Sequence, residues 1–229
     1  MTVVRYPRSG GPYPLIVFAH GFALTPAAYD RLLRYWARAG YVVAAPVFPH
    51  ENANAPGGPT QSDLPNEPRD ISVVISRLLT GVLADRIDPA RIAVAGHSDG
   101  AVAALAVAYD RRHRDRRIDA AIVLSGATLP GMGAFPVGGP PLLATQGTAD
   151  TTNAPSNTEA YFDRARRPKF LLWLVGASHL PPYTEEEPQL GVVERATTAF
   201  LGHYLKQQPL RLFEESARRA GITRLIAEP

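Results

Sequence analysis

The sequence predicts an α/β fold: a mainly parallel sheet with helices on both faces. Three observations carry this expectation. Short apolar runs alternate with longer segments of helical period. The runs are apolar throughout, as strands covered on both faces are. The chain has 229 residues, 45% of them hydrophobic and 20% charged, enough for one full-sized core. No internal repeat or linker interrupts the pattern, so residues 1–229 are expected to form a single domain.

"TVVRYP" reads as a strand from the second residue onward, and "PLIVFAH" (14–20) as a doubly covered strand. "TPAAYDRLLRYWARAG" (25–40) follows as a helix, with Thr25 as N-cap candidate, Pro26 at the first helical position and Gly40 as the stop. "YVVAAPV" (41–47) is the next strand. The Pro-, Gly- and Asn-rich stretch from Pro49 to Pro65 is expected to be a solvated surface loop, His50, Glu51 and Asn52 included. "EPRDISVVISRLLTGVLA" (67–84) has helical period. "RIAVAG" (91–96), "IDAAIVLSG" (118–126), "PPLLATQG" (140–147) and "KFLLWLVG" (169–176) are further strands, the last of them taken as the final strand. Between and after them come the helices 99–110, 154–167 and 189–205. Residues 208–229 are expected to be a helical tail, packed on the body or on another subunit.

Composition narrows the function classes. The formal net charge is +3, and the one dense basic segment, "RRHRDRR" (111–117), contains an acid and follows a helix. It reads as a solvated helix end, so no nucleic-acid partner is expected. The absence of cysteine removes disulfides, thiolate nucleophiles and Cys-based zinc sites. No apolar run approaches the ~18 residues of a membrane span. The compartment is left open: cytoplasmic, or secreted with a leader ahead of the first residue.

The chemistry centres on "VAGHSDGAVAAL" (94–105). Here Gly96-His97-Ser98-Asp99-Gly100 matches G-x-S-x-G between a strand and a helix. Small flanking residues are a steric need: a strand turning sharply into a helix forces the central residue into a strained conformation. The turn exposes the serine hydroxyl at a helix N-terminus, where free N–H groups favour developing negative charge.

A serine hydroxyl needs a base, and the base an orienting acid. Of six histidines, His179 alone combines a position after the serine, a strand end and a loop of small residues. His97, inside the turn, is expected to point away from it. Asp150, just past the preceding strand, is the acid that reaches the same sheet edge. Asp119 starts a strand at the wrong end, and Glu185, Glu186 and Glu187 form a charge run. Backbone N–H groups of Asp99 and Phe22 are the expected oxyanion donors, Gly21 letting the chain approach. The Asp99 side chain is expected to point outward or to cap local N–H groups.

"FAHGF", "GHSDG", "GTAD" and "ASH" occur in this order along nearly the whole chain. In this the sequence resembles the α/β-hydrolases, and among them the lidless branch of dienelactone hydrolases, cutinases, polyester hydrolases and platelet-activating-factor-type acetylhydrolases. About 15 residues separate Ser125 from Pro140, too few for a multi-helix lid. The 49–65 loop is then the expected wall of the site, and Trp173, inside a strand, is core.

The resemblance implies a serine carboxylic-ester hydrolase acting on short- to medium-chain esters through an acyl-enzyme. No metal or organic cofactor is needed, and the partner is a small-molecule ester or a polyester. A cutinase-like depolymerase, a serine peptidase or amidase and a catalytically silent binding protein are the alternatives. Monomer and homodimer are both open.

Overall fold

The computed structural model describes residues 1–129, Met132 and 138–229. The expected segment between Ser125 and Pro140 therefore falls partly outside the described residues. The chain runs β1 (Thr2–Arg5), β2 (Tyr13–Ala19), α1 (Asp30–Arg38), β3 (Val42–Pro46), α2 (Glu67–Thr80), β4 (Ile87–His97), α3 (Asp99–Tyr109) and β5 (Ile118–Leu124). It continues with β6 (Leu142–Gly147), α4 (Pro155–Arg164), β7 (Lys169–Leu174), α5 (Pro181–Thr184), α6 (Gln189–Lys206), α7 (Leu210–Ala217) and β8 (Thr223–Glu228).

Among the described residues the strands form one sheet in the order β1-β3-β2-β4-β5-β6-β7-β8. The inner pairings are parallel; β1 on β3 and β8 on β7 are antiparallel. Strand side chains alternate between two cores. Leu15, Val17, Val94, Val123 and Leu171 face one core, packed with Ile71 and Ile75 of α2 and with α3. Ile16, Phe18, Ala95, Ile122 and Phe170 face the other, with Trp36 of α1, Phe200 of α6 and Phe213 of α7. Covering both faces explains the uninterrupted apolar runs.

α3 is the central helix. All but its first residue are buried, and five of these are alanines: Ala101, Ala103, Ala104, Ala106 and Ala108. Small side chains let this helix lie close to the sheet directly behind Ser98.

Three expectations change. The segment 25–40 opens with a 3₁₀ turn, Pro26–Tyr29, and the Thr25 side chain makes no cap. The 49–65 stretch is not all solvated: Glu51 and Leu64 are buried, and Asn52 Nδ2 donates to the Phe48 carbonyl at 2.6 Å. The tail is not wholly helical, and "KFLLWLVG" is not the final strand. After α7 the chain returns as β8, pairing from Leu174↔Thr223 to Lys169↔Glu228. The reason is edge protection: β7 is buried along its whole length, and a bare apolar edge is a liability. β8 covers that edge and sets the Arg224 guanidinium 5.4 Å from the Trp173 ring, which is core as expected.

Among the described residues no helix is long and apolar enough to cross a membrane.

Candidate active site

The carboxyl ends of β2, β4, β6 and β7 gather the chemistry at one edge of the sheet, where open parallel sheets bind ligands. Between β4 and α3, Ser98 adopts φ 54° and ψ −120°, a region that L-residues avoid. The flanking glycines have no alternative. A Cβ on Gly96 would lie 2.1 Å from the Gly100 carbonyl oxygen, and one on Gly100 would lie 2.3 Å from that of Ala19. The Ser98 N–H donates to the Leu124 carbonyl at 3.1 Å, anchoring the turn to β5. The Ser98 side chain is left at the surface of a cavity.

Asp150 follows β6 and is 3% exposed. Its Oδ2 accepts from His179 Nδ1 at 2.7 Å and from Gln146 Nε2 at 3.0 Å. Its Oδ1 accepts from the backbone N–H groups of Thr152 and Asn153. Burial pushes the Asp150 pKa up. The Asn153 N–H, His179 and Gln146 outweigh it and leave the carboxyl below its usual range. An ionised Asp150 therefore holds the proton of His179 on Nδ1 and leaves Nε2 free to accept. The loops carrying the two residues are joined through Ala149 N–H to Ala177 O and Gly176 N–H to Thr148 Oγ1.

Ser98 Oγ makes no hydrogen bond to His179 among the described residues. His97, the residue before Ser98, connects the turn to the His179 loop. Contrary to expectation, His97 turns toward His179: its ring centroid is 4.7 Å from that of His179, and its Nε2 is 3.0 Å from the His179 carbonyl oxygen. Burial lowers the His97 pKa to about 3, so the ring stays neutral. A carbonyl only accepts, so Nε2 carries the proton. Nδ1 then accepts from Tyr29 Oη at 2.7 Å, and Tyr29 Oη accepts from the Gly21 N–H at 3.2 Å. This chain ties the loop after β2 to the loop after β7. Sequence reasoning missed Tyr29, whose 68-residue separation from His97 leaves no local signal.

The loop after β2 packs directly on the turn: a Cβ on Gly21 would lie 3.2 Å from Ser98 Cβ. Neither Phe22 N–H nor Asp99 N–H donates to a backbone carbonyl among the described residues. Asp99 lines the same cavity as Ser98, and its side chain accepts from Gln61 Nε2 at 2.5 Å. The cavity at Ser98 measures about 340 Å³. Phe22, Val102, Ala127 and Leu129 supply apolar wall; Gln61 and Asn157 supply polar wall.

Behind the 49–65 wall, Glu51, which the sequence reading placed in solvent, lies buried with Glu67 of α2. Glu51 and Glu67 are both fully buried, and among the described residues no donor reaches any of their four carboxyl oxygens. Buried together, the two carboxyls disfavour double ionisation and favour holding a proton. Burial first, then the nearby negative charges, raises both pKa values. Groups with raised folded-state pKa values stabilise fully below their unfolded values and lose that contribution as pH rises through the folded ones. Glu67→Gln supplies a permanent donor to Glu51 in place of the proton. It is expected to raise Tm at pH 8 and to change it little at pH 4.5, measured by thermal melts at the two pH values. Among the described residues no group of three or more His, Cys, Asp or Glu could hold a metal ion.

Comparison with known proteins agrees with this architecture. A ferulic acid esterase from Streptomyces cinnamoneus superposes with a TM-score of 0.71 and 24% identity, over 93% of this chain and 72% of that one, which identifies the fold as that of the α/β-hydrolases. Chlorophyllase type 0 from Chenopodium album is 31% identical over 118 residues, 46% of this chain and 31% of that protein. The match thus takes in under a third of that relative's length. The family model for chlorophyllase matches residues 1–150, a span that holds the Ser98 turn, the 49–65 wall and Asp150. With that span covering well over half of its 229 residues, the chain belongs to the chlorophyllase family.

Proposed function

We propose that this protein is a serine carboxylic-ester hydrolase for short- to medium-chain esters. The observation that carries the reading is the strained Ser98 turn beside the Asp150–His179 pair at one sheet edge. Ser98 Oγ attacks the ester carbonyl as His179 Nε2 takes its proton. Asp150 keeps the other imidazole proton on Nδ1 and stabilises the charged ring. The N–H groups of Phe22 and Asp99 hold the oxyanion. His179 returns the proton to the departing alcohol, and water, deprotonated by the same imidazole, releases the acid from Ser98. The continuous sheet supports reading residues 1–229 as one domain.

The cavity size supports the chain-length reading. About 340 Å³ is at the small end of ligand pockets. Ester turnover is expected to peak between p-nitrophenyl acetate and octanoate and to fall for palmitate, with the matching p-nitroanilides cleaved far more slowly. Faster anilide than ester cleavage would move the reading to an amidase. Polyester film and chlorophyll, the substrate named by the relative, belong in the same panel. No turnover of any ester would overturn the proposal.

A further inference from the structure

The cavity at Ser98 has a neighbour that the ester-hydrolase reading does not use. A second cavity of about 400 Å³ is lined by Gln61, Leu64, Pro65, Leu129, Met132 and the pair Arg112 and His113. Gln61 and Leu129 line both cavities. They are a saddle between the nucleophile and a distal space with an apolar floor.

Charge is sorted along this path. At the near end stands the Asp99 carboxylate, held by Gln61. At the far end stands Arg112, from the basic segment that the sequence reading left in solvent. Within that segment Arg114 donates to the Gly138 carbonyl and Arg117 pairs with Asp115, and Arg112 is the arginine that lines the cavity. Arg112 anchors only its backbone N–H, to Asp110 Oδ1 at 2.7 Å. Its guanidinium has no ion-pair or hydrogen-bond partner among the described residues.

We propose that this second cavity is a distal subsite for elongated esters that carry an anionic group at the end remote from the scissile bond. The inference rests on Ser98 as nucleophile. An anion close to the ester meets Asp99 and is disfavoured. An anion carried over the saddle by an apolar chain meets Arg112 and is favoured. Leu64, Pro65 and Leu129 take up the connecting methylenes. The ligand class is therefore a half-ester of an aliphatic dicarboxylic acid, or an ester of a long hydroxy acid.

The test compares charged esters with neutral ones of equal length. One series carries the charge on the acyl side: mono-p-nitrophenyl esters of succinate through sebacate against their methyl-capped forms. The other carries it on the alcohol side: O-acetyl hydroxy acids of rising length against their methyl esters. The readout is the anionic-to-neutral ratio of kcat/KM. In at least one series it is expected to start below one and to rise to about fivefold at the long end, the scale of an exposed ion pair. Arg112→Gln is expected to bring the long-chain ratio back to about one. A ratio flat with length in both series, or one that Arg112→Gln leaves in place, overturns the subsite. Turnover of neutral esters by wild type and its loss in Ser98→Ala report separately on the nucleophile, so the two failures are distinguishable.

Discussion

Ser98→Ala is expected to lower kcat/KM for p-nitrophenyl butyrate by at least ~10³-fold, about 4 kcal/mol of transition-state stabilisation. The fold should survive, because Ser98 Oγ makes no hydrogen bond among the described residues and its backbone N–H bond to Leu124 is kept. A second variant separates chemistry from strain. At φ 54° a side chain costs on the order of 1–3 kcal/mol that glycine avoids. Ser98→Gly is therefore expected to be as inactive as Ser98→Ala and to melt at higher temperature. Steady-state kinetics and calorimetry on the three proteins check both halves.

Asp150→Asn is the second large effect, with an expected loss of ~10³- to 10⁴-fold in kcat. Every group around the Asp150 carboxylate donates: two backbone N–H groups on Oδ1, and Gln146 Nε2 and His179 Nδ1 on Oδ2. An asparagine must present its NH₂ to one of these donors. Gln146 cannot readily turn, since its Nε2 also donates to the Asn153 carbonyl and its Oε1 accepts from Thr158. His179 can adapt, by moving its proton from Nδ1 to Nε2. That tautomer has nothing left to receive the Ser98 proton. The mismatched donors also cost stability, about 1–3 kcal/mol, so Tm should fall alongside kcat. Because the Asp150 pKa is depressed in the fold, its stabilisation in the wild type is present above the unfolded carboxyl pKa. It fades as pH falls through the folded one. The Tm gap between wild type and Asp150→Asn should accordingly narrow in acid.

These residues were legible in the sequence because each ends a strand whose apolar run is unmistakable. Once β4, β6 and β7 are read as parallel strands, topology places Ser98, Asp150 and His179 at one edge. What escaped the sequence lacked a local signature. β8 lacks a continuous apolar run, and its alternation of Leu225 and Ala227 against Arg224 and Ile226 yields a strand because β7 needs an edge partner. Glu51 and Glu67 look like solvent residues. They are buried because the 49–65 segment folds back on the loop after β2, with the Ala23 N–H on the Glu51 carbonyl at 2.8 Å. His97 looked like a turn residue facing elsewhere, and its contact with His179 depends on Tyr29 arriving from α1's leading turn. In each case long-range pairing, not local preference, decides the outcome.

The central claim is that Ser98 becomes covalently attached to the acyl group. Treating wild type and Ser98→Ala with a fluorophosphonate and mapping the adduct by peptide mass spectrometry tests it most directly. A single phosphonylated residue, Ser98, absent from the alanine variant and suppressed by a turned-over ester, is the expected result. Labelling at another residue, or none in a protein that still hydrolyses esters, would contradict it.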